Sequence, residues 1–251
     1  MEFDAVILTG GRSSRLGGVP KSGLMHAGAT LLEWALKAAR GAAAVAVVGP
    51  DPGTLPEGVL SCREEPAFAG PAAAVAAGIS ALEQHRSRDP RHLAPAPLTL
   101  VLAVDMPGAG AAVGTLLAAA ADAPPGDGLM AKSADGRRQP LVGLYSTAAL
   151  QRCVAEARQR GALDNASIFA LLARLEVREV SVPRGSTDDV DTWDDASALG
   201  VTGPADGHGF DSHHRDSRGG GRHHRDSHDP GLRPGVPPLN STLEANGEKP
   251  G

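Results

Sequence analysis

The chain has 251 residues, enough for one large domain or a domain with an appendage, and its composition shifts sharply near Gly200. A formal net charge of -5 and a pI near 6.0 do not supply the basic face that nucleic-acid backbones require, so no nucleic-acid partner is expected. Aromatic residues make up 3% of the chain, which predicts a core of Val, Leu, Ile and Ala and argues against base stacking on an aromatic platform.

Met1-Glu2-Phe3-Asp4 carries acids where a signal peptide carries bases, and the first apolar run is too short to span a bilayer. A cytoplasmic address without a membrane partner is the expectation. Phe3–Thr9 reads as the first strand, and a helix starts at Leu31, where Thr30 and Glu33 have capping-box spacing. The loop between them is long for a compact domain unless it is functional. Val45–Val48 and Val59–Cys62 read as strands, and Ala72–Glu83 as a helix entered through Gly70-Pro71.

Leu98–Val104 is a nearly continuous apolar run, as in a central strand covered on both faces, and it ends at Asp105-Met106-Pro107. A helix near Ala111–Ala121 follows. The runs Leu129–Lys132 and Leu141–Tyr145 flank Asp135-Gly136 as a hairpin near the sheet edge. Two more helices, a strand at Val177–Val182 and a helix after Thr192 complete the domain. The order predicts a layered α/β domain over residues 1–200, Rossmann-like in three layers with a mostly parallel sheet. Residues 201–251 are Gly-, Pro- and His-rich with few apolar side chains and read as a disordered tail carrying a His-His-Arg-Asp-Ser repeat at His213–Ser217 and His223–Ser227.

The segment Leu8-Thr9-Gly10-Gly11-Arg12-Ser13-Ser14-Arg15-Leu16-Gly17-Gly18-Val19-Pro20-Lys21 carries the chemistry. Glycines let backbone N–H groups approach phosphate oxygens, and Arg15 and Lys21 can neutralise charge on a departing pyrophosphate. A flexible surface loop has similar composition, but sheets of this class bind ligands where this segment lies, beyond a strand's carboxyl end. The dinucleotide pattern G-x-G-x-x-G is absent, and Pro20 precedes Lys21 where a Walker loop needs Gly. Ser13 and Ser14 have no base at triad spacing. His26, His85 and His92 read as surface residues, Arg12 as a surface ion-pair partner, and Cys62 and Cys153 as reduced structural thiols.

Leu8–Lys21 resembles the L-x-G-G-x-x-x-R-x-G-x-x-K signature of the molybdenum cofactor guanylyltransferase family. Further segments agree in order: Arg63-Glu64-Glu65-Pro66 with Gly70-Pro71, Asp105-Met106-Pro107, Gln139-Pro140-Leu141 and Asp189-Val190-Asp191-Thr192. The resemblance implies transfer of GMP from GTP to molybdopterin with loss of pyrophosphate. It implies Lys21, Arg15 and Asp105 as catalytic residues, and Leu8, Thr9, Gly10, Gly11, Lys21, Glu65, Gly70, Pro71 and Asp105 as nucleotide contacts. It further implies Mg²⁺ held by Asp105 with Asp191 or Asp189, and docking with molybdoenzyme maturation proteins. Asp105 is otherwise a turn or cap acid, and Asp188, Asp189 and Asp191 a solvated run capping the last helix. Two departures stand out: Pro20 where many relatives have Asp, and Gly49-Pro50 where they often carry a polar residue. The alternatives are the same chemistry with CTP or a sugar-phosphate acceptor, a noncatalytic nucleotide-binding regulator, and a metal chaperone using the histidine tail.

Overall fold

Side-chain alternation along β1 (Phe3–Leu8) sets the architecture: Phe3, Ala5 and Ile7 enter one apolar core, and Val6 and Leu8 another. A strand buried on both faces needs a layer on each side. In the computed structural model, which describes residues 1–11, 13–50, 55–88, 94–123 and 126–204, both layers are helical. After β1 the elements run β2 (Met25–His26), β3 (Ala29–Thr30), α1 (Leu31–Ala38), β4 (Val45–Val48), β5 (Val59–Cys62), α2 (Pro71–Arg88) and β6 (Leu98–Ala103). There follow α3 (Ala109–Asp122), β7 (Gly128–Lys132), β8 (Arg138–Ser146), α4 (Thr147–Gln159), α5 (Ile168–Leu172), β9 (Val177–Ser181), α6 (Trp193–Ala198) and β10 (Val201–Thr202).

The main sheet has seven strands in the order β5-β4-β1-β6-β8-β7-β9, and β8 runs antiparallel to both of its neighbours. Its other pairings are parallel, as expected. Helices α1, α3 and α6 cover one face, and α2, α4 and α5 the other. Local signals explain the helix starts: Thr30 and Glu33 form the capping box of α1, Pro71 opens α2, and Thr192 and Asp195 make a second capping box at α6. At the N-terminal edge of the sheet, the fully buried Asp4 carboxylate is paired with Arg86 of α2.

Several expectations change. The long first loop is not irregular throughout: Met25–His26 pairs with Ala29–Thr30 and with Val201–Thr202 in a small antiparallel sheet. Val201 is buried there, so ordered chain runs past the expected boundary at residue 200. His26 is half-buried rather than on the surface, edge-on to Trp34, whose indole N–H donates to the His26 carbonyl at 2.7 Å. The hairpin turn at Asp135-Gly136 forms, but β9 adds beside β7 and takes the sheet edge itself. Gln139-Pro140-Leu141 lies inside β8, next to an irregularity in its pairing with β7, where a proline lacking an N–H is tolerated. Arg12, His92 and the tail repeat lie outside the described residues, as does everything after Pro204. No described helix is long and apolar enough to cross a membrane.

Candidate active site

Four parallel strands end level with one another: Leu8 pairs with Val48 and Ala103, and Val48 pairs with Cys62. The residues just beyond them therefore share one edge of the sheet. Gly10 and Gly11 follow β1, Gly49 follows β4, Glu64 follows β5 and Asp105 follows β6. This is the edge at which parallel sheets bind ligands.

A cavity of about 270 Å³ opens there, and seven residues expected at the nucleotide line it: Leu8, Gly10, Gly11, Lys21, Gly70, Pro71 and Asp105. Two expected contacts do not. The Thr9 hydroxyl donates to the Val48 carbonyl at 3.0 Å, which ties β1 to β4. Glu65 is exposed and lines a different cavity with Arg63, Ser80 and Arg158. Its neighbour Glu64 takes the place in the cleft and is 5% exposed. One Glu64 oxygen, Oε1, accepts the Phe68 N–H at 3.0 Å, and Oε2 is buried with no partner among the described residues. Two adjacent acids look alike in sequence; the path of the chain after β5 decides which one turns inward.

Gly49 has a structural cause. Its φ is 143°, and a Cβ there would lie 2.4 Å from the Thr9 hydroxyl and 2.8 Å from the Gly10 N. The close approach of β4's end to the glycine loop excludes any side chain at this position.

Lys21 opens a short 3-10 turn and reaches across the cavity mouth. Its ammonium donates to Asp105 Oδ2 at 2.8 Å and to Asp191 Oδ1 at 2.6 Å. Asp189 completes the group: oxygens of Asp105, Asp189 and Asp191 all lie within 4.8 Å of one another. Backbone pairing builds this cluster, since the Val190 N–H donates to the Asp105 carbonyl at 3.0 Å and so carries its two flanking acids to the end of β6. Burial opposes the charge on Lys21, but the carboxylates, Asp105 foremost, outweigh it and raise its pKa. Burial pushes the Asp189 carboxyl up, and the charges of Asp105 and Asp191 add to that. Arg15 stays at the rim, 73% exposed and 3.9 Å from Asp191.

Three carboxylates around one ammonium form a set of hard oxygen donors already organised around positive charge, which fits Mg²⁺. On the flank of Asp189 lies a second cavity of about 440 Å³, lined by Arg137, Gln139 and Arg184 among others. Within it Asp135 is engaged by its own turn and Asp195 by the α6 cap.

The MobA-like NTP transferase domain family matches residues 5–177 of the chain. No curated protein sequence matches it. Among solved structures, molybdopterin-guanine dinucleotide biosynthesis protein A from Archaeoglobus fulgidus is similar with a TM-score of 0.55 and 21% identity, over 79% of this chain and 96% of that one. The 2-C-methyl-D-erythritol 4-phosphate cytidylyltransferase of Thermus thermophilus is similar with a TM-score of 0.51 and 27% identity, over 78% and 96%. The Francisella tularensis enzyme of that name shares the fold, with a TM-score of 0.59 and 11% identity over 79% and 98%.

Proposed function

The chain belongs to the MobA-like NTP transferase family and is a nucleotidyltransferase, and from that premise we propose that it transfers GMP from GTP to the phosphate of molybdopterin, releasing pyrophosphate. The observation that carries this proposal is Lys21 bridging Asp105 and Asp191 at the mouth of a glycine-lined cavity. The backbone at Gly10 and Gly11 offers N–H groups to the triphosphate, and Lys21 meets the charge that builds on the departing pyrophosphate. Asp105, with Asp191 and Asp189, would hold Mg²⁺. Bound there, the ion would screen the phosphate oxygens and orient them for in-line displacement.

The acceptor's phosphate oxygen attacks the α-phosphorus while the bond to the β-phosphate breaks, and no covalent enzyme intermediate is needed. We assign the acceptor to the cavity beside Asp189, where Arg137 and Arg184 can pair with its phosphate in a lining that also carries Asp188 and Asp189. Glu64 favours guanine. A carboxylate only accepts hydrogen bonds, and the Watson–Crick edge of guanine presents adjacent N–H donors, whereas that of cytosine presents acceptors beside one amino group. Cytidylyl transfer to a sugar phosphate is the second reading, favoured by the 27% identity to the Thermus thermophilus cytidylyltransferase.

Pyrophosphate release with Mg²⁺ and each nucleoside triphosphate in turn, with and without molybdopterin, tests the proposal. Molybdopterin-dependent release with GTP is expected. Release with CTP and a sugar phosphate in its place would establish the second reading.

A further inference from the structure

Four large apolar side chains are exposed among the described residues, and one of them, Phe68, faces a functional cavity. The residue is 40% exposed and lines the cleft with Gly70 and Pro71. The backbone holding it there is unusual: Phe68 has φ 63°, in the left-handed region that a bulky side chain avoids. Such strain persists only where surrounding contacts enforce it, and it gathers at ligand sites. Here the enforcing contact is visible, since the Phe68 N–H donates to the buried Glu64 Oε1 at 3.0 Å. The Arg63 guanidinium lies 5.2 Å from the ring centroid and buttresses the ring.

The cleft has a mixed lining: Gly10, Gly11, Lys21 and Asp105 are suited to phosphates, and Phe68, Pro71 and Ala74 supply apolar surface. Glu64 also lines the cleft, with Oε2 buried and unpartnered among the described residues. A nucleoside triphosphate calls for both kinds of lining: it carries charged phosphates, a flat heterocycle, and N–H and O–H donors near the heterocycle.

We propose that Phe68 is the platform on which the base of the bound nucleoside triphosphate stacks, fixing the base so that its edge meets Glu64. The proposal rests on the nucleotidyltransferase reading of the same cavity. Stacking on an aromatic ring is tolerant of base identity, so Phe68 supplies affinity and orientation while the choice of base falls to Glu64. An aromatic-poor chain can therefore hold a base with a single ring, provided the backbone is bent to present it.

The test measures binding of GTP and of inorganic tripolyphosphate, which has no base, to the wild-type chain, Phe68→Leu and Phe68→Tyr. Leucine keeps an apolar side chain with the same backbone demand at this φ and removes the ring face. Phe68→Leu is expected to weaken GTP binding by about 5- to 100-fold, leave tripolyphosphate binding unchanged and leave the melting temperature close to wild type, while Phe68→Tyr retains GTP affinity. GTP affinity unchanged in Phe68→Leu, or equal losses for GTP and tripolyphosphate, would overturn the proposal. So would normal GTP binding with a raised KM for the acceptor, which would give the ring to the acceptor instead. A wild-type chain that binds tripolyphosphate but gains nothing from the base overturns the stacking role alone; one that binds neither ligand overturns the reading beneath it.

Discussion

The two ends of the central sheet both carry a lysine or arginine paired with aspartate, yet the pairs are built differently. At the N-terminal end Asp4 is fully buried against Arg86, one charge for one charge. At the C-terminal end one ammonium, Lys21, is set among three carboxylates that stay partly open to solvent. A matched, closed pair serves the fold, because its burial has to be compensated locally. An unmatched, open cluster is incomplete by itself and is suited to receive a cation together with an anionic ligand. The same chemistry is structural at one edge and functional at the other, and the ratio of charges separates them.

That contrast can be broken from either side. Arg86→Ala strands the Asp4 carboxylate in the core and should cost about 3–5 kcal/mol of stability, read from urea unfolding. Folded Arg86→Ala protein should turn over at a near wild-type rate. Lys21→Ala should do the reverse: about a 100- to 1,000-fold loss of transfer rate with little change in urea midpoint. If Lys21→Ala instead unfolds the chain and Arg86→Ala lowers turnover alone, the contrast is wrong.

A smaller effect tests whether Glu64 is charged inside the cleft. Burial pushes the Cys62 thiol up from 9.0 to about 11, and the Glu64 charge adds to it. A raised thiol pKa means less thiolate at pH 8, so Cys62 should be alkylated by iodoacetamide far more slowly than a free thiol. Glu64→Gln removes the charge and should lower the pKa and speed alkylation a few-fold, without reaching the free-thiol rate because the burial remains. Peptide mapping separates Cys62 from Cys153. The smallest change is at the Thr30 cap, where Thr30→Ala removes the capping box of α1 and should cost about 1 kcal/mol with turnover unaffected.

Much of this arrangement is legible from sequence because its signals are local. Apolar runs bounded by Gly and Pro mark the strands of the main sheet, and Thr30, Pro71 and Thr192 mark helix starts. The glycine loop and Asp105 stand out because both follow directly on strands. What sequence leaves hidden depends on tertiary geometry. Two-residue strands such as Met25–His26 have no periodicity, and their pairing with Val201–Thr202 joins distant segments. Glu64 and Glu65 are identical neighbours, and only the turn after β5 shows that Glu64, not Glu65, enters the cleft. Composition argues against an aromatic platform, but a count cannot register where a single ring is presented. Gly49 reads only as a departure from the family's pattern, and the Thr9 hydroxyl beside it is what requires glycine there.

Label followed from GTP tests whether the Lys21–Asp105–Asp191 edge performs nucleotidyl transfer. With GTP labelled at the α-phosphate, molybdopterin and Mg²⁺, label should move to the acceptor product while unlabelled pyrophosphate is released in equal amount. Label that stays on GDP, or release of inorganic phosphate in place of pyrophosphate, would overturn this assignment.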